Sequence, residues 1–122
     1  MRSLIVSIVA CLFFCGCKPS TKHLVQDYKL ERFDENGKYY VIASEDLSGG
    51  GVFDGTVEQL GFDQNWILAR VNRLYQGDTN GWYVLNLKTK QVVGPIQESD
   101  LKTNAAWTKI EYHDPEQVFS GK

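Results

Sequence analysis

Cysteine is missing from most of this chain. Cys11, Cys15 and Cys17 are its three cysteines, and none follows as far as Lys122. Small secreted domains commonly staple themselves with paired cysteines. Beyond Cys17 packing alone must hold the fold, and zinc sites of the CxxC kind are excluded there. Histidine is almost as scarce, with only His23 and His113. No GxSxG or SxxK motif supplies an activated serine, and Gly49-Gly50-Gly51 lacks the spacing and the following Lys-Ser/Thr of a phosphate cradle. A dense basic patch is also absent: Lys29, Arg32, Lys38, Arg70, Arg73, Lys102 and Lys109 are scattered singly. Nucleic acid, which needs many phosphates neutralised together, is therefore set aside as a partner.

No apolar run is long enough for a stable membrane span. The longest, Leu4 to Phe14, is eleven residues with only Ser7 polar, and Arg2 precedes it. A helix from Ser3 to Cys17 would rise about 22 Å against a hydrocarbon core of roughly 30 Å. A short charged start, a short apolar stretch and small residues after it have the arrangement of a secretory signal.

Phe14-Cys15-Gly16-Cys17 resembles a lipobox, the site at which lipoprotein signal peptidase cuts before a diacylglyceryl cysteine. Gly16 and Cys17 fit that pattern, whereas Phe14 stands where Leu is usual and Cys15 departs from it. Ile8-Val9-Ala10-Cys11 is a second match, but cutting there would leave an apolar core of only seven residues. The resemblance implies a signal peptide over residues 1–16 and lipidation at Cys17. Lys18 follows, where Asp would signal inner-membrane retention in enteric-type bacteria, so an outer-membrane destination is allowed if the organism has that membrane. Several acyl chains on one residue anchor far better than one, at about 0.8 kcal/mol per buried methylene. Residues 17–23 are expected as the lipidated cysteine and a short polar tether, with His23 a mobile, solvated side chain. The implied location is extracytoplasmic, in the bacterial cell envelope, with the membrane as a partner through the N-terminal lipid.

What the remainder does contain is aromatic and strand-forming. The whole chain carries 13 basic and 15 acidic residues, and removal of residues 1–16 takes only Arg2, leaving a mildly acidic domain. All three Trp and all six Tyr lie beyond Cys17. Residues 24–122 read as one β-rich domain, mainly β: a small antiparallel sheet, sandwich or open barrel with one or two short helical segments near the C-terminus. Strands are expected over residues 25–33, 39–43 (YYVIA), 56–62, 66–74 (WILARVNRL), 81–87 (GWYVLNL) and 91–93, with a short strand at 107–112. Asn36-Gly37 marks a hairpin turn, and Gly94-Pro95 is expected to stop the strand before it. Gln97 to Asn104 has a weak helical pattern, and Asp114-Pro115 begins a capped helical turn with Pro at its first position. Residues 66–74 and 81–87 should be antiparallel neighbours at the sheet centre, since neither carries a proline that would confine it to an edge.

The residues Trp66-Ile67-Leu68-Ala69-Arg70, then Trp82 through Lys90, then Val92-Val93-Gly94-Pro95 with Gln97-Glu98-Ser99-Asp100-Leu101 after them, resemble an uncharacterised family of small bacterial lipoproteins. The likeness covers about a third of the chain. That family has no established activity, and its shared strand and turn residues look structural.

Candidates for chemistry are few. His113 beside Asp114 would need an orienting carboxylate and a serine to act as a base, and a surface turn histidine is the plainer reading. Asp34-Glu35 and Glu45-Asp46 are adjacent carboxylates, whereas glycoside hydrolysis needs two that converge. Asp78-Thr79-Asn80-Gly81 lacks the remaining ligands of a calcium loop. No cofactor or metal is implied and no catalytic residues are assigned. In a strand Tyr39 and Tyr40 face opposite ways, as do Trp82 and Tyr83, so one of each pair is a candidate partner contact on an uncovered face, for protein or glycan. The leading expectation is a non-enzymatic, membrane-tethered binding or envelope-accessory module. The alternatives are an inhibitor or immunity lipoprotein against an envelope-attacking enzyme, or a carboxylate-dependent envelope hydrolase.

The domain starting at Lys18 should unfold thermally at the same midpoint with and without reductant. A midpoint that falls on reduction would contradict a fold held without disulfides.

Overall fold

The computed structural model describes residues 20–34, 38–45, 51–73 and 80–121. The signal segment, Cys17, the Asn36-Gly37 turn, Asp46, Gly49-Gly50, Tyr75 and most of the 76–81 loop lie outside them. Among the described residues seven strands form two antiparallel sheets. The first sheet has the order β1-β2-β3, with β1 Ser20–Val25, β2 Tyr28–Phe33 and β3 Tyr39–Ser44. The second has the order β4-β5-β6-β7, with β4 Thr56–Phe62, β5 Trp66–Asn72, β6 Gly81–Asn86 and β7 Val92–Ile96. After them the described residues form two short helices, α1 Glu98–Thr103 and α2 Pro115–Ser120. Among the described residues no helix is long and apolar enough to cross a membrane.

The expected central pair is present. β5 lies between β4 and β6, and its register with β6 runs from Trp66 opposite Asn86 to Val71 opposite Gly81. The inner-facing residues of the second sheet, among them Leu60, Ile67, Ala69, Val71, Tyr83 and Leu85, share one buried cluster with Leu24, Tyr28, Leu30, Tyr40 and Ile42 of the first sheet. Tyr28 and Leu30, like Tyr40 and Ile42, stand two apart, so each strand gives one face to this core.

A single strand over residues 25–33 was expected, and the structure divides that region differently. A turn at Gln26-Asp27, with Gln26 at φ 52°, separates β1 from β2. The expected tether is correspondingly shorter, because Ser20–His23 pairs with β2 in register, Ser20 opposite Arg32 and His23 opposite Lys29. His23 is correspondingly not free: its Nδ1 lies 2.9 Å from Glu45 Oε2. Polarity concealed this strand. It is an edge whose first four residues are exposed, so nothing in them alternates.

β7 does not stop at Gly94-Pro95 but continues through a cis Gly94–Pro95 bond to Ile96. Proline is tolerated there because β7 is an edge strand. Gly94 has φ 155°, and a Cβ on it would meet the Tyr83 ring at 2.6 Å, so this position needs glycine twice over. The β6–β7 turn is organised by Asn86, whose Oδ1 accepts from the amides of Lys88 (2.9 Å) and Thr89 (3.2 Å).

The expected strand at 107–112 is a series of turns instead. The amides of Trp107 and Thr108 both donate to Asn104 O, and that of Ile110 donates to Trp107 O. Only His113 pairs with the sheet, exchanging both backbone hydrogen bonds with Leu60 at 2.9 and 2.8 Å. This segment lies over the outer face of the second sheet, where Leu68, Trp82 and Val84 form a second cluster with Leu101 and Ile110. Gly61 makes the approach possible: a Cβ there would meet Tyr112, Ile110 and the Glu111 carbonyl at 2.6–2.7 Å. The second sheet is thus covered on both faces.

That covering corrects the expectation for Trp82 and Tyr83. Both are buried, each 4% exposed, Tyr83 in the inter-sheet core and Trp82 under the C-terminal segment. Neither stands out as an exposed ring on the surface. Truncating either to Ala should cost about 3–5 kcal/mol, the range for deleting a buried aromatic ring. Denaturant unfolding of the two variants checks this, and a small cost at Trp82 alone would mean that the outer layer is loosely held.

Candidate functional site

The outer layer is incomplete, and a hollow opens in it. A cavity of about 430 Å³ is lined by Gln59, Trp82, Glu98, Leu101, Lys102, Thr108, Ile110 and Tyr112. Each part of the wall comes from a different local cause. Gln59 and Trp82 project from the outer face of β4 and β6, opposite Arg70 of β5 in the registers of both pairs. Leu101 is the buried residue of α1, a helix whose Asp100 carboxylate accepts from the Gln97 amide at 3.1 Å. Glu98 and Lys102, four apart on that helix, form a rim of both charges. Ile110 and Tyr112 are held by the turns after Asn104 and by the His113–Leu60 bridge.

The interior is aromatic. Trp82 and Tyr112 meet edge to face with centroids 5.3 Å apart, and the Tyr112 hydroxyl donates to Trp107 O at 3.1 Å. Burial, with a smaller contribution from the negative charge of Asp63, raises the Tyr112 pKa above the ordinary phenol value. Trp82 Nε1 is buried and has no hydrogen-bond partner. An unmet buried donor is costly to leave inside the layer.

A second hollow of about 240 Å³ lies on the same face, lined by Trp66, Val84, Asn86, Gln91, Val93, Ile96 and Trp107. Trp66 and Trp107 meet there edge to face at 5.7 Å, and Trp107 Nε1 is likewise buried without a partner. Among the described residues the outer layer thus carries two buried indole donors without an acceptor. Such a surface can hold a partly apolar molecule and fix it through acceptor atoms.

Of the residues singled out from the sequence as contacts, Trp82 lines the larger hollow, and the others fall elsewhere. Tyr39, 37% exposed and stacked on Phe33 at 4.9 Å, is open to a partner, whereas Tyr40 is buried against Phe119. The Tyr39–Tyr40 pair therefore divides as expected, with Tyr39 alone on the surface. His113 Nε2 stands 3.5 Å from Glu111 Oε2, beside the bridge to Leu60. Asp34 pairs with Arg32 at 3.6 Å, and Glu45 with His23. Glu98 is the one carboxylate among the residues lining the larger outer hollow. Among the described residues no three His, Cys, Asp or Glu side chains are grouped to hold a metal ion. Gln59, Leu101 and Ile110 were not singled out, since each is an ordinary strand or helix residue until the layer assembles.

The raised pKa of Tyr112 has a direct consequence for stability. Above about pH 10 the unfolded phenol ionises while the folded one keeps its proton. The folded state then binds more protons, so stability falls as pH rises toward the folded value. Tyr112→Phe should flatten this alkaline limb in denaturant melts between neutral pH and the phenol range, and an unchanged limb would remove Tyr112 as its source. No family model, no curated protein and no solved structure matches this chain.

Proposed function

We propose that this chain is a bacterial envelope lipoprotein, processed to begin at Cys17, whose β domain is a non-enzymatic binding module. The anchoring half rests on the short apolar stretch after Arg2 and on Phe14-Cys15-Gly16-Cys17. The lipid would be the membrane contact, and β1 begins at Ser20, so the domain would sit close to the bilayer. Lys18 leaves the outer membrane open as its destination.

The binding half is carried by one observation: Trp82 lines a hollow of about 430 Å³ while its buried indole N–H has no acceptor. The hollow is apolar within, and Gln59, Glu98, Lys102 and Thr108 supply polar groups around it. That division suits a partly apolar envelope component carrying an acceptor, such as a glycan or a peptide, held by ring contacts and oriented by a few hydrogen bonds.

Metabolic labelling with a clickable fatty acid should mark the protein. Cys17→Ala should abolish the label, while Cys11→Ala and Cys15→Ala keep it. Label that survives the loss of Cys17 would end the anchoring assignment. For the binding half, the Trp82 indole N–H resonance should shift when solubilised envelope fragments are added, and Leu101→Arg should remove the shift. A Trp82 resonance indifferent to every envelope fraction would count against binding in this hollow.

A further inference from the structure

The first sheet has a distinct end, the one from which the chain leads back to Cys17. β1 begins at Ser20, which stands opposite Arg32 of β2, and Arg32 stands opposite Tyr40 of β3. One residue further toward the same end, Phe33 and Tyr39 form the last row of the β2–β3 ladder. Their rings stack almost in parallel, with centroids 4.9 Å apart and planes 6° from each other. Tyr39 is 37% exposed, whereas Tyr40, on the other face of the strand, is buried against Phe119. The stacked pair is thus an open aromatic surface at one margin of the domain.

Covalent reach ties this row to the lipidation site. Three peptide steps separate Cys17 from Ser20, a span of at most about 11 Å. Two strand spacings and one residue step separate Ser20 from Tyr39, about 10 Å of sheet. A diacylglyceryl group would hold its cysteine at the membrane surface, where the headgroup layer is roughly 5–8 Å thick. A ring with an apolar body and a polar tip is the side chain that such a layer favours. The charges at this end do not oppose the approach. Asp34 pairs with Arg32 at 3.6 Å and Glu116 with Lys38 at 4.0 Å, and Lys22 adds a base near the start of β1. The exposed valines of β7 lie elsewhere: Val92 borders the same hollow as Tyr28, at the opposite end of β2 and about 17 Å from Phe33.

We propose that the Phe33–Tyr39 end of the first sheet is a second membrane contact, lying against the headgroups of the bilayer that holds the lipid of Cys17. This contact rests on the proposed lipid anchor at Cys17, to which it adds an orientation. Tyr39 sits at headgroup level, its ring beside Phe33 and its hydroxyl toward phosphate and water. The acyl chains supply the affinity, since one exposed ring buries too little to hold a domain by itself. The ring contact fixes which end of the domain meets the bilayer. It places the far end of β2, with Tyr28 and the neighbouring β7 edge, away from the membrane.

Processing before Cys17 would leave that residue as the one cysteine, with its thiol in the lipid linkage, so an introduced cysteine takes a nitroxide label alone. The lipidated protein, in vesicles of phosphatidylethanolamine and phosphatidylglycerol, is labelled at Lys38→Cys beside the ring pair. Lys90 stands over the Tyr28 ring at 4.9 Å, so Lys88→Cys, two residues before it, is the control at the far end. Both lysines are exposed. The label at 38 should be shielded from a water-soluble nickel chelate, while the label at 88 stays open. Adding Tyr39→Ser should abolish the shielding at 38 with flotation and thermal midpoint unchanged. A lipidated, floating protein whose label at 38 is as open as that at 88 overturns this contact alone and returns Tyr39 to a protein or glycan partner. Shielding that survives Tyr39→Ser also overturns it, because the short tether would then account for it. A protein that shows no lipid on Cys17 by mass spectrometry and does not float with the vesicles overturns the anchor and this contact together.

Discussion

Burial of the β5–β6 pair on both faces is the constraint on which the rest of this structure depends. Ile67, Leu68 and Ala69 are fully buried in succession, as are Tyr83, Val84 and Leu85 but for traces of exposure. Consecutive strand residues point to opposite sides. A sheet with one wet face would leave half of them in water, at a cost of roughly 25 cal/mol per Å² of apolar surface. The three-stranded sheet covers one side, and α1 with the turns up to His113 covers the other. Without the second cover, Leu68, Trp82 and Val84 would be a hydrophobic patch in the middle of the sheet.

The outer cover is thin, and its thinness generates the features of functional interest. It consists of a six-residue helix, a run of turns and one two-residue bridge, not a third sheet. Turns cannot tile a twisted surface without gaps, so hollows remain between α1, the 107–112 segment and the strands beneath. The indoles of Trp82 and Trp107 line those hollows, and among the described residues their buried N–H groups have no hydrogen-bond partner. On the inner side the packing is between two sheets. There Tyr83 has Arg73 as a neighbour, whose Nη1 donates to the phenol oxygen at 3.0 Å while Nη2 pairs with Asp54 at 2.9 Å. The inner face is thus covered by a sheet, with the Tyr40 hydroxyl left unpartnered there, and the outer face is covered by turns that leave two indole N–H groups unpartnered among the described residues.

Edges follow the same logic. β4 is protected where His113 bridges Leu60, and β1 is blunted by polar residues, with Lys22 and His23 among them. β7 has neither protection in its own side chains, only the missing amide of Pro95. The same short cover that leaves hollows under Trp107 fails to extend past β7, so the exposed valines and the outer hollow are two results of one shortage of chain.

Much of this architecture was legible in the order of residues. The mainly β class, the adjacency of the 66–74 and 81–87 segments, β3 and β4, and the Asp114-Pro115 helix start all followed from local signals: alternation, turn residues, caps and the absence of proline. Local signals are read within one element, and these features are decided there. The sequence also carried the only information on the N-terminal lipobox resemblance, since residues 1–19 lie outside those described. Tertiary structure decided which faces are covered. Whether Trp82 or Tyr83 is exposed depends on residues outside their strand, such as Leu101 and Ile110 clustered with Trp82 and Phe53 beside Tyr83, and no pattern within GWYVLNL encodes them. The same holds for β1, which is a strand because β2 offers it a partner, and for the 107–112 segment, whose apolar residues could have served an edge strand but pack as turns because Gly61 leaves room for them. Solvent exposure is a property of the assembled layers, and so the candidate site became visible only once the layers were in place.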